Sequence, residues 1–318
     1  MYNEPIFLKP VFQERIWGGQ KLQTEFNYQI PFDKTGEAWV ISAHSNGPSE
    51  IINGELKGET LTDAWNRHGE LFNKKDGNDE EYPLLVKILD ANNDLSVQVH
   101  PDDNYARDVE NHPYGKTECW YVLSAEDGAE IVFGHHAGSK EEFKEMVNNG
   151  NWNNLLRRVK VKSGDFVYVP SGTIHAIGKG IVILETQQSS DITYRVYDYD
   201  RTDAFGNKRE LHLDRAIEVT AAPHQNSEIK QEQQTSQGLV SKKLVKETYF
   251  TVYHWQLNGE VIQELTSDFL QISVVNGSAS ITVDETNYSI KKGDHFILPA
   301  TIKDYKISGQ AEFIVSHP

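Results

Sequence analysis

The chain has 318 residues, of which 38% are hydrophobic, and it carries a formal net charge of −16. That length exceeds a single typical domain and predicts two domains, or one large domain with insertions. The acidic balance argues against nucleic acid as a partner, because phosphate backbones are bound by basic surfaces, although a local cationic pocket can still hold a small phosphorylated molecule.

Three features of the sequence bear on location. No apolar run approaches the ~20 residues that a membrane span requires, so no membrane partner is expected. The first residues lack the basic start and the apolar stretch of a secretion signal. The single cysteine, Cys119, cannot form an internal disulfide, which fits a reducing cytoplasm. Cys119 follows Glu118 directly and should point to the opposite face of a sheet as a small buried residue. We therefore expect a cytoplasmic protein.

Strand-like segments dominate the chain from its start. Near the N-terminus, Gly and Pro turn signals separate predicted strands at residues 6–8, 37–42 and 50–52. The helical pattern is confined to three short segments. These predicted helices lie at about 60–72, at 139–158 after a capping box that begins at Ser139, and at 213–222 before Pro223.

The last third of the chain begins with a change of composition. Residues 225–238 form a polar, Gln-rich run that we interpret as a linker. From Leu239 to Pro318 the pattern is again nearly all strand and turn. The sequence therefore divides into residues 1–235, which contain the predicted helices, and residues 236–318.

An internal repeat relates the two parts. The first copy has Gly164-Asp165, then Pro170 six positions after the glycine, then His175 eleven positions after it. The second copy has Gly293-Asp294, then Pro299 at the same offset, with Asp304 where the histidine would stand. A matching hairpin pattern precedes each copy. The repeat predicts two stacked β barrels, of which the second has lost a metal-binding histidine.

The segment Leu95–Pro101 alternates apolar and polar residues, which is typical of a strand with two different faces. Gln98 and His100 therefore point the same way, and Glu118 and His175 lie in or beside later strand-like runs. Two imidazoles, a carboxylate and an amide oxygen form a plausible ligand set for a divalent cation such as zinc.

These segments resemble those of a known family. The pattern G-D-x-x-x-x-P-x-G-x-x-H that ends at His175 resembles a motif of the cupin superfamily of jelly rolls. More narrowly, the chain is similar to the type I mannose-6-phosphate isomerases (phosphomannose isomerases), especially the short bacterial form. The similar segments are Ile16-Trp17-Gly18-Gly19, Gly36-Glu37-Ala38-Trp39, residues 95–102, Lys116–Tyr121, Pro170–His175 and Gln187–Asp198.

The resemblance implies a mainly β fold of two cupin-type jelly-roll barrels with a small helical insertion. Residues 1–235 would form the catalytic, metal-binding cupin domain, and residues 236–318 a degenerate cupin-like barrel. It implies one zinc ion per chain, with ligands at Gln98, His100, Glu118 and His175. Longer family members write the glutamate ligand within K-P-E, whereas this chain has Lys116-Thr117-Glu118.

The resemblance also implies an activity, the interconversion of mannose 6-phosphate and fructose 6-phosphate through an enediolate. Arg195 falls at the position regarded as catalytic, Lys116 lies near the glutamate ligand, and Ser96 falls at the serine associated with phosphate recognition. From the residues alone, Arg195 could equally form an ordinary ion pair with Asp191 or Asp198. A small phosphorylated sugar is the expected partner, and a monomer the expected state.

A proton carrier is also needed, and the sequence offers two candidates. Glu185 ends the apolar strand 181–184, where a carboxyl can bind its proton more tightly. Lys116 is the other candidate, if zinc and neighbouring cations lower its proton affinity. We expect both to lie at the substrate, and the sequence leaves the base unassigned.

Two other classes of function remain open at this stage. A metal-dependent dioxygenase on the cupin scaffold would use iron at a similar site, but it has no evident need for Arg195 within S-D-x-T-Y-R. A non-catalytic sugar-binding module would be favoured by an attached helix-turn-helix or a basic stretch, and the sequence shows neither. The isomerase is the preferred hypothesis.

Overall fold

The computed structural model describes residues 2–75, 80–202 and 206–318. The helices within this part of the chain are short: α1 Lys21–Phe26, α2 Leu61–Arg67, α3 Asp103–Glu110, α4 Lys140–Asn148, α5 Trp152–Leu155 and α6 Leu213–Val219, with a 3-10 turn at Gly69–Phe72. None of these helices is long and apolar enough to cross a membrane.

Strands make up most of the ordered structure. In chain order they are β1 Ile6–Lys9, β2 Val11–Gly19, β3 Thr35–Ile41, β4 Glu50–Ile51, β5 Leu84–Ala91, β6 Val97–Val99, β7 Glu118–Ala125, β8 Glu130–His135, β9 Leu156–Lys160, β10 Phe166–Val169, β11 His175–Ile177, β12 Ile181–Gln188, β13 Tyr194–Tyr197, β14 Glu232–Ser236, β15 Leu239–Lys246, β16 Thr251–Glu264, β17 Leu270–Val283, β18 Thr286–Lys291, β19 His295–Leu298 and β20 Asp304–His317. The predicted mainly β, cupin-type fold is confirmed.

The strands of the described residues form three open sheets. A six-stranded sheet has the order β10-β7-β12-β5-β3-β2, and a five-stranded sheet has the order β13-β6-β11-β8-β9. The third sheet runs β14-β15-β16-β20-β17-β19-β1-β4, with β18 paired to β17. The edge strands of each sheet do not pair with one another, so the predicted jelly-roll barrels are built from open sheets.

Apolar residues hold the six-stranded and five-stranded sheets face to face. Trp120 and Ile183 from the first sheet and Ile131 and Ile177 from the second belong to one buried cluster. Burial of such side chains contributes about 1.5–3 kcal/mol each. The outer face of the six-stranded sheet packs against the nine-stranded sheet, and Cys119 lies in that second cluster. The prediction that Cys119 and Glu118 point to opposite faces is thus confirmed.

The internal repeat is confirmed by matching turns. Asp165 accepts a hydrogen bond from the Lys162 amide at 2.9 Å, and Asp294 accepts one from the Lys291 amide at 2.8 Å. The preceding glycines share a left-handed conformation, with φ of 87° at Gly164 and 91° at Gly293, which costs a glycine little. His175 begins β11, just as Asp304 begins β20.

Several predicted boundaries were wrong. The helix expected over 139–158 ends at Asn148, and after the short α5 the chain enters β9 at Leu156. Strand β9 forms because β8 offers a free edge, which pairs with it from Glu130 to His135. Helix α3 was not predicted. Tyr105, Ala106 and Val109 have helical spacing, but the helix has only eight residues and of these only Ala106 is buried. Helix α1 was also not predicted, because six residues are too few to show a helical period.

The linker interpretation of residues 225–238 is wrong for its second half. Strand β14 pairs with β15 along the edge of the nine-stranded sheet, and all five of its residues are exposed. Backbone pairing with β15 and an exposed ion pair between Glu232 and Lys243 at 2.7 Å join this strand to the sheet, and its polar composition gave no signal for a strand. The N-terminal strand β1 also lies in this sheet, between β19 and β4. The division of the chain at residues 235 and 236 stays a prediction.

Candidate active site and metal centre

Three side chains from the two facing sheets form a compact cluster. His100 follows β6, Glu118 begins β7 and His175 begins β11. Their ligating atoms all lie within 4.8 Å of one another, and each residue is about 1% exposed. Glu118 Oε2 lies 3.5 Å from His100 Nε2, and Glu118 Oε1 lies 3.4 Å from His175 Nε2. The structure therefore brings together three of the four predicted ligands.

The backbone fixes both imidazoles in the same way. His100 Nδ1 donates to the Ile192 carbonyl at 2.8 Å, and His175 Nδ1 donates to the Thr173 carbonyl at 2.8 Å. Each Nε2 therefore keeps its lone pair for the cluster, the arrangement found where histidine binds a metal. Burial lowers the pKa of His175 to about 4 and that of His100 well below its usual range. Both rings are neutral near pH 7, as metal ligands must be.

Gln98, the fourth predicted ligand, lies at the edge of this cluster. It pairs with His175 across β6 and β11, and its Nε2 lies 3.4 Å from His175 Nε2. Turning the amide over would present its oxygen to the same position. Two neutral imidazoles, a carboxylate and an amide fit a divalent cation with nitrogen and oxygen preference, such as zinc.

Buried polar groups surround the glutamate of the cluster. Lys116 Nζ lies 3.0 Å from His100 Nε2 and donates a very short hydrogen bond to Glu118 Oε2. The indole Nε1 of Trp120 lies 2.9 Å from Glu118 Oε1 and 3.3 Å from Glu185 Oε1. Trp120, which sequence reasoning did not single out, thus connects the candidate ligand to the candidate proton carrier.

Both candidate proton carriers have a raised pKa, but the causes differ. Burial raises the pKa of Glu185, and the nearby charge of Glu118 adds to this, while Lys116 and Lys87 oppose it. For Lys116, burial acts to lower the pKa, but Glu118 and Glu185 outweigh it, so the pKa is raised.

A cleft of about 740 Å³ opens above the cluster. The predicted substrate-side residues Ser96, Lys116, Glu185 and Arg195 line it together with Gln98. Such a volume suits a sugar phosphate. Of the eight predicted site residues, only the three buried candidate ligands His100, Glu118 and His175 do not line the cleft.

Arg195 reaches the cleft from β13. Its Nε lies 3.3 Å from Ser96 Oγ, and its Nη1 donates to the Glu210 carbonyl at 2.8 Å. Among the described residues Arg195 forms no ion pair with Asp191 or Asp198, the partners of the alternative interpretation. Asp198 instead binds Arg209, with Arg209 Nη2 to Asp198 Oδ1 at 2.6 Å. The guanidinium of Arg195 thus keeps its charge directed at the cleft.

Sequence reasoning missed three charged residues on the opposite wall, Arg15, Glu37 and Lys87. It also missed Arg209, which lines the cleft beside Arg195 and pairs with Asp198. A signal was present for Lys87, because it is the one lysine within the apolar strand β5, where every residue is buried. Glu37 lies in one of the segments similar to the phosphomannose isomerases, but no role was attached to it.

Comparison with known proteins gives one consistent picture. Residues 6–128 match the family model "Phosphomannose isomerase type I, catalytic domain", and residues 240–318 match "Mannose-6-phosphate isomerase, cupin domain". Mannose-6-phosphate isomerase ManA of Bacillus subtilis (strain 168) is 51% identical over 317 residues, which cover 100% of both chains. Mannose-6-phosphate isomerase of Streptococcus mutans is 51% identical over 323 residues, covering 99% of this chain and 98% of the relative.

Solved structures agree with this. The crystal structure of mannose 6-phosphate isomerase from Bacillus subtilis superimposes with a TM-score of 0.96 at 49% identity, covering 99% of each chain. A variant of phosphomannose isomerase from Salmonella typhimurium has a TM-score of 0.81 at 17% identity, covering 98% of this chain and 99% of that one, which shows a shared fold.

Proposed function

The chain belongs to the type I phosphomannose isomerases, a family of mannose-6-phosphate isomerases, and from that premise we propose that it is a zinc-dependent aldose-ketose isomerase. Its reaction would interconvert mannose 6-phosphate and fructose 6-phosphate through an enediolate. The observation that carries the proposal is the buried His100–Glu118–His175 cluster beneath a cleft lined by Glu185 and Arg195.

The reaction moves two protons. One leaves C2 of the open-chain aldose and returns to C1, and one passes from the oxygen on C2 to the oxygen on C1. Removing the C2 proton leaves negative charge on the oxygens, so the site must supply positive charge there. Zinc held by Gln98, His100, Glu118 and His175 would polarise those oxygens as a Lewis acid.

Glu185 is the proposed base for the carbon-bound proton. Its carboxyl is buried at the cleft, and burial raises its pKa. A general base works best when its pKa lies near the working pH, so a shift in this direction favours the role. Lys116 Nζ contacts Glu118 Oε2 and lies 3.9 Å from Glu185 Oε1, a position between two carboxylates that suits an ammonium. We assign to it the stabilisation of negative charge beside the ligand Glu118.

Arg195 and Ser96 are the proposed anion-binding groups on the opposite sheet. The guanidinium is permanently charged and can hold a developing oxyanion or a phosphate through two nitrogens at once. The hydroxyl of Ser96, 3.3 Å from Arg195 Nε, would act on the same anion. Family membership favours this assignment over a dioxygenase or a sugar-binding module.

The test combines a coupled assay for fructose 6-phosphate with elemental analysis of the purified protein. We expect turnover together with about one zinc per chain, and activity that a chelator removes and added zinc restores. A reaction run in deuterated water tests the intermediate, because proton removal allows deuterium to enter C1 of the product. Deuterium at C1 would support the enediolate over a direct hydride transfer from C2, and metal-independent turnover would contradict the zinc.

The nine-stranded sheet carries no second cluster of this kind among the described residues. Asp304, at the position of the missing histidine, is exposed. We propose that this part of the chain has a structural role. A monomer and a cytoplasmic location also stay as predictions.

A further inference from the structure

A row of alternating charges crosses the six-stranded sheet on the face that lines the cleft. From β2 to β12, Arg15 Nε lies 2.8 Å from Glu37 Oε1, Lys87 Nζ lies 4.0 Å from Glu37 Oε2, and Lys87 Nζ lies 3.6 Å from Glu185 Oε2. Beyond Glu185, the row continues to Lys116 at 3.9 Å. The row therefore reaches the candidate metal ligands at one end and Arg15 at the other.

The two oxygens of Glu185 have different partners. Oε1 faces Trp120 Nε1 at 3.3 Å and Lys116 Nζ at 3.9 Å, whereas Oε2 faces Lys87 Nζ at 3.6 Å. Lys87 is the only charged partner of Oε2 among the ion pairs of the described residues. Without the Lys87 ammonium, no cation would hold Oε2, and the carboxylate of Glu185 would be free to rotate.

Lys87 is itself held in place. Its side chain is only 8% exposed, and its Nζ lies 4.9 Å from the centre of the Trp39 ring. The carboxylate of Glu37 lies 4.0 Å from the same Nζ. Glu37 is fixed in turn by Arg15 and by Trp39 Nε1 at 2.7 Å. A buried lysine needs such partners, because an unpaired charge in the interior is strongly destabilising.

We propose that Lys87, anchored by Glu37 and Trp39, is a positioning residue that fixes the carboxylate of Glu185 for proton transfer. This inference rests on the proposed function, in which Glu185 takes the carbon-bound proton. General-base catalysis depends on alignment at hydrogen-bond distance, and a misplacement of about 1 Å can cost about 100-fold in rate. Lys87 acts through Glu185, so its effect must disappear when Glu185 cannot act.

The test is a double-mutant cycle with Lys87→Met and Glu185→Gln. In the parent protein, Lys87→Met should lower kcat by about 10-fold or more, with KM changed less than about 3-fold and zinc content unchanged. In the Glu185→Gln background the same change should alter kcat by less than about 2-fold, because the two residues act as one unit. Lys87→Arg, which keeps a cation beside Oε2, should restore part of kcat.

The control is Lys9→Met. Lys9 pairs with Glu50 at 3.8 Å between β1 and β4 of the nine-stranded sheet and does not line the cleft, so its loss should leave kcat and KM unchanged. If Lys87→Met does not fold, Lys87→Gln carries the same cycle, with Lys87→Arg again as the variant that keeps the cation.

Three outcomes overturn the inference. Equal losses of kcat in both backgrounds would make Lys87 independent of Glu185. A raised KM with kcat preserved would make it a substrate-binding residue, and unchanged kinetics would make its role structural. An inactive parent protein would instead refute the proposed isomerase function itself.

Discussion

Arg195→Lys separates the possible roles of the arginine in the cleft. Lysine keeps the positive charge but replaces a planar fork of five donors with one ammonium. The native guanidinium is oriented by Ser96 Oγ at 3.3 Å and by the Glu210 carbonyl at 2.8 Å. An ammonium on a shorter reach cannot keep both contacts and also direct a donor at the substrate.

The magnitude depends on which interaction is lost. Losing one donor to a developing oxyanion costs about 2.7–4 kcal/mol, or about 10²–10³ in kcat. The two orienting hydrogen bonds contribute about 1 kcal/mol each, so the free energy of unfolding should fall by about 1–3 kcal/mol. We therefore expect a large loss of turnover with a small loss of stability.

Steady-state kinetics in the coupled assay, with denaturant unfolding and zinc analysis alongside, measure all three quantities. A fall in kcat with KM little changed indicates transition-state stabilisation, whereas a raised KM with kcat preserved indicates phosphate binding. Zinc content should be unchanged in either case, because arginine is not a ligand. Arg201→Lys is the control, since Arg201, like Arg195, donates to backbone carbonyls but does not line the cleft.

Arg201→Lys should lower stability without changing the kinetics. If Arg195→Lys shows the same behaviour as this control, with normal kcat and KM in the folded protein, the reasoning is refuted. Arg195 would then be removed from the active site.

Three further predictions follow from the same structure. His100→Ala and His175→Ala should each lose bound zinc and nearly all activity, as measured by elemental analysis and the coupled assay, and full retention of both would reject the metal site. Lys303→Ala and Asp304→Ala should leave zinc content and turnover near the parent values, and loss of metal in either would mean that the site spans both repeats. Burial lowers the pKa of His295 to about 3, whereas the unfolded imidazole binds its proton near pH 6.5. The free energy of unfolding should therefore fall by up to about 1.4 kcal/mol per pH unit as the pH decreases from 6.5 toward 4. In denaturant titrations at several pH values, His295→Gln should flatten that slope. An identical slope in the variant would contradict the assignment to His295.

Local patterns in the sequence determined a good part of this protein. The alternation at Glu118 and Cys119 placed one side chain toward the cleft and the other in the core between the sheets, as the structure confirms. The repeat of Gly164-Asp165 at Gly293-Asp294 predicted two copies of one β unit. The two copies share a turn in which each aspartate accepts from the amide three residues before it. Both patterns depend on local backbone geometry and on residues close in the chain.

The tertiary structure alone decided the wall opposite Arg195. Arg15, Glu37, Lys87 and Glu185 lie on β2, β3, β5 and β12, which are neighbours in the sheet but far apart in sequence. Their contacts depend on strand order and on register, and a shift of one residue would turn each side chain to the other face. The same dependence on a distant partner hid β9 and β14, whose strands form only because another edge is present to pair with them.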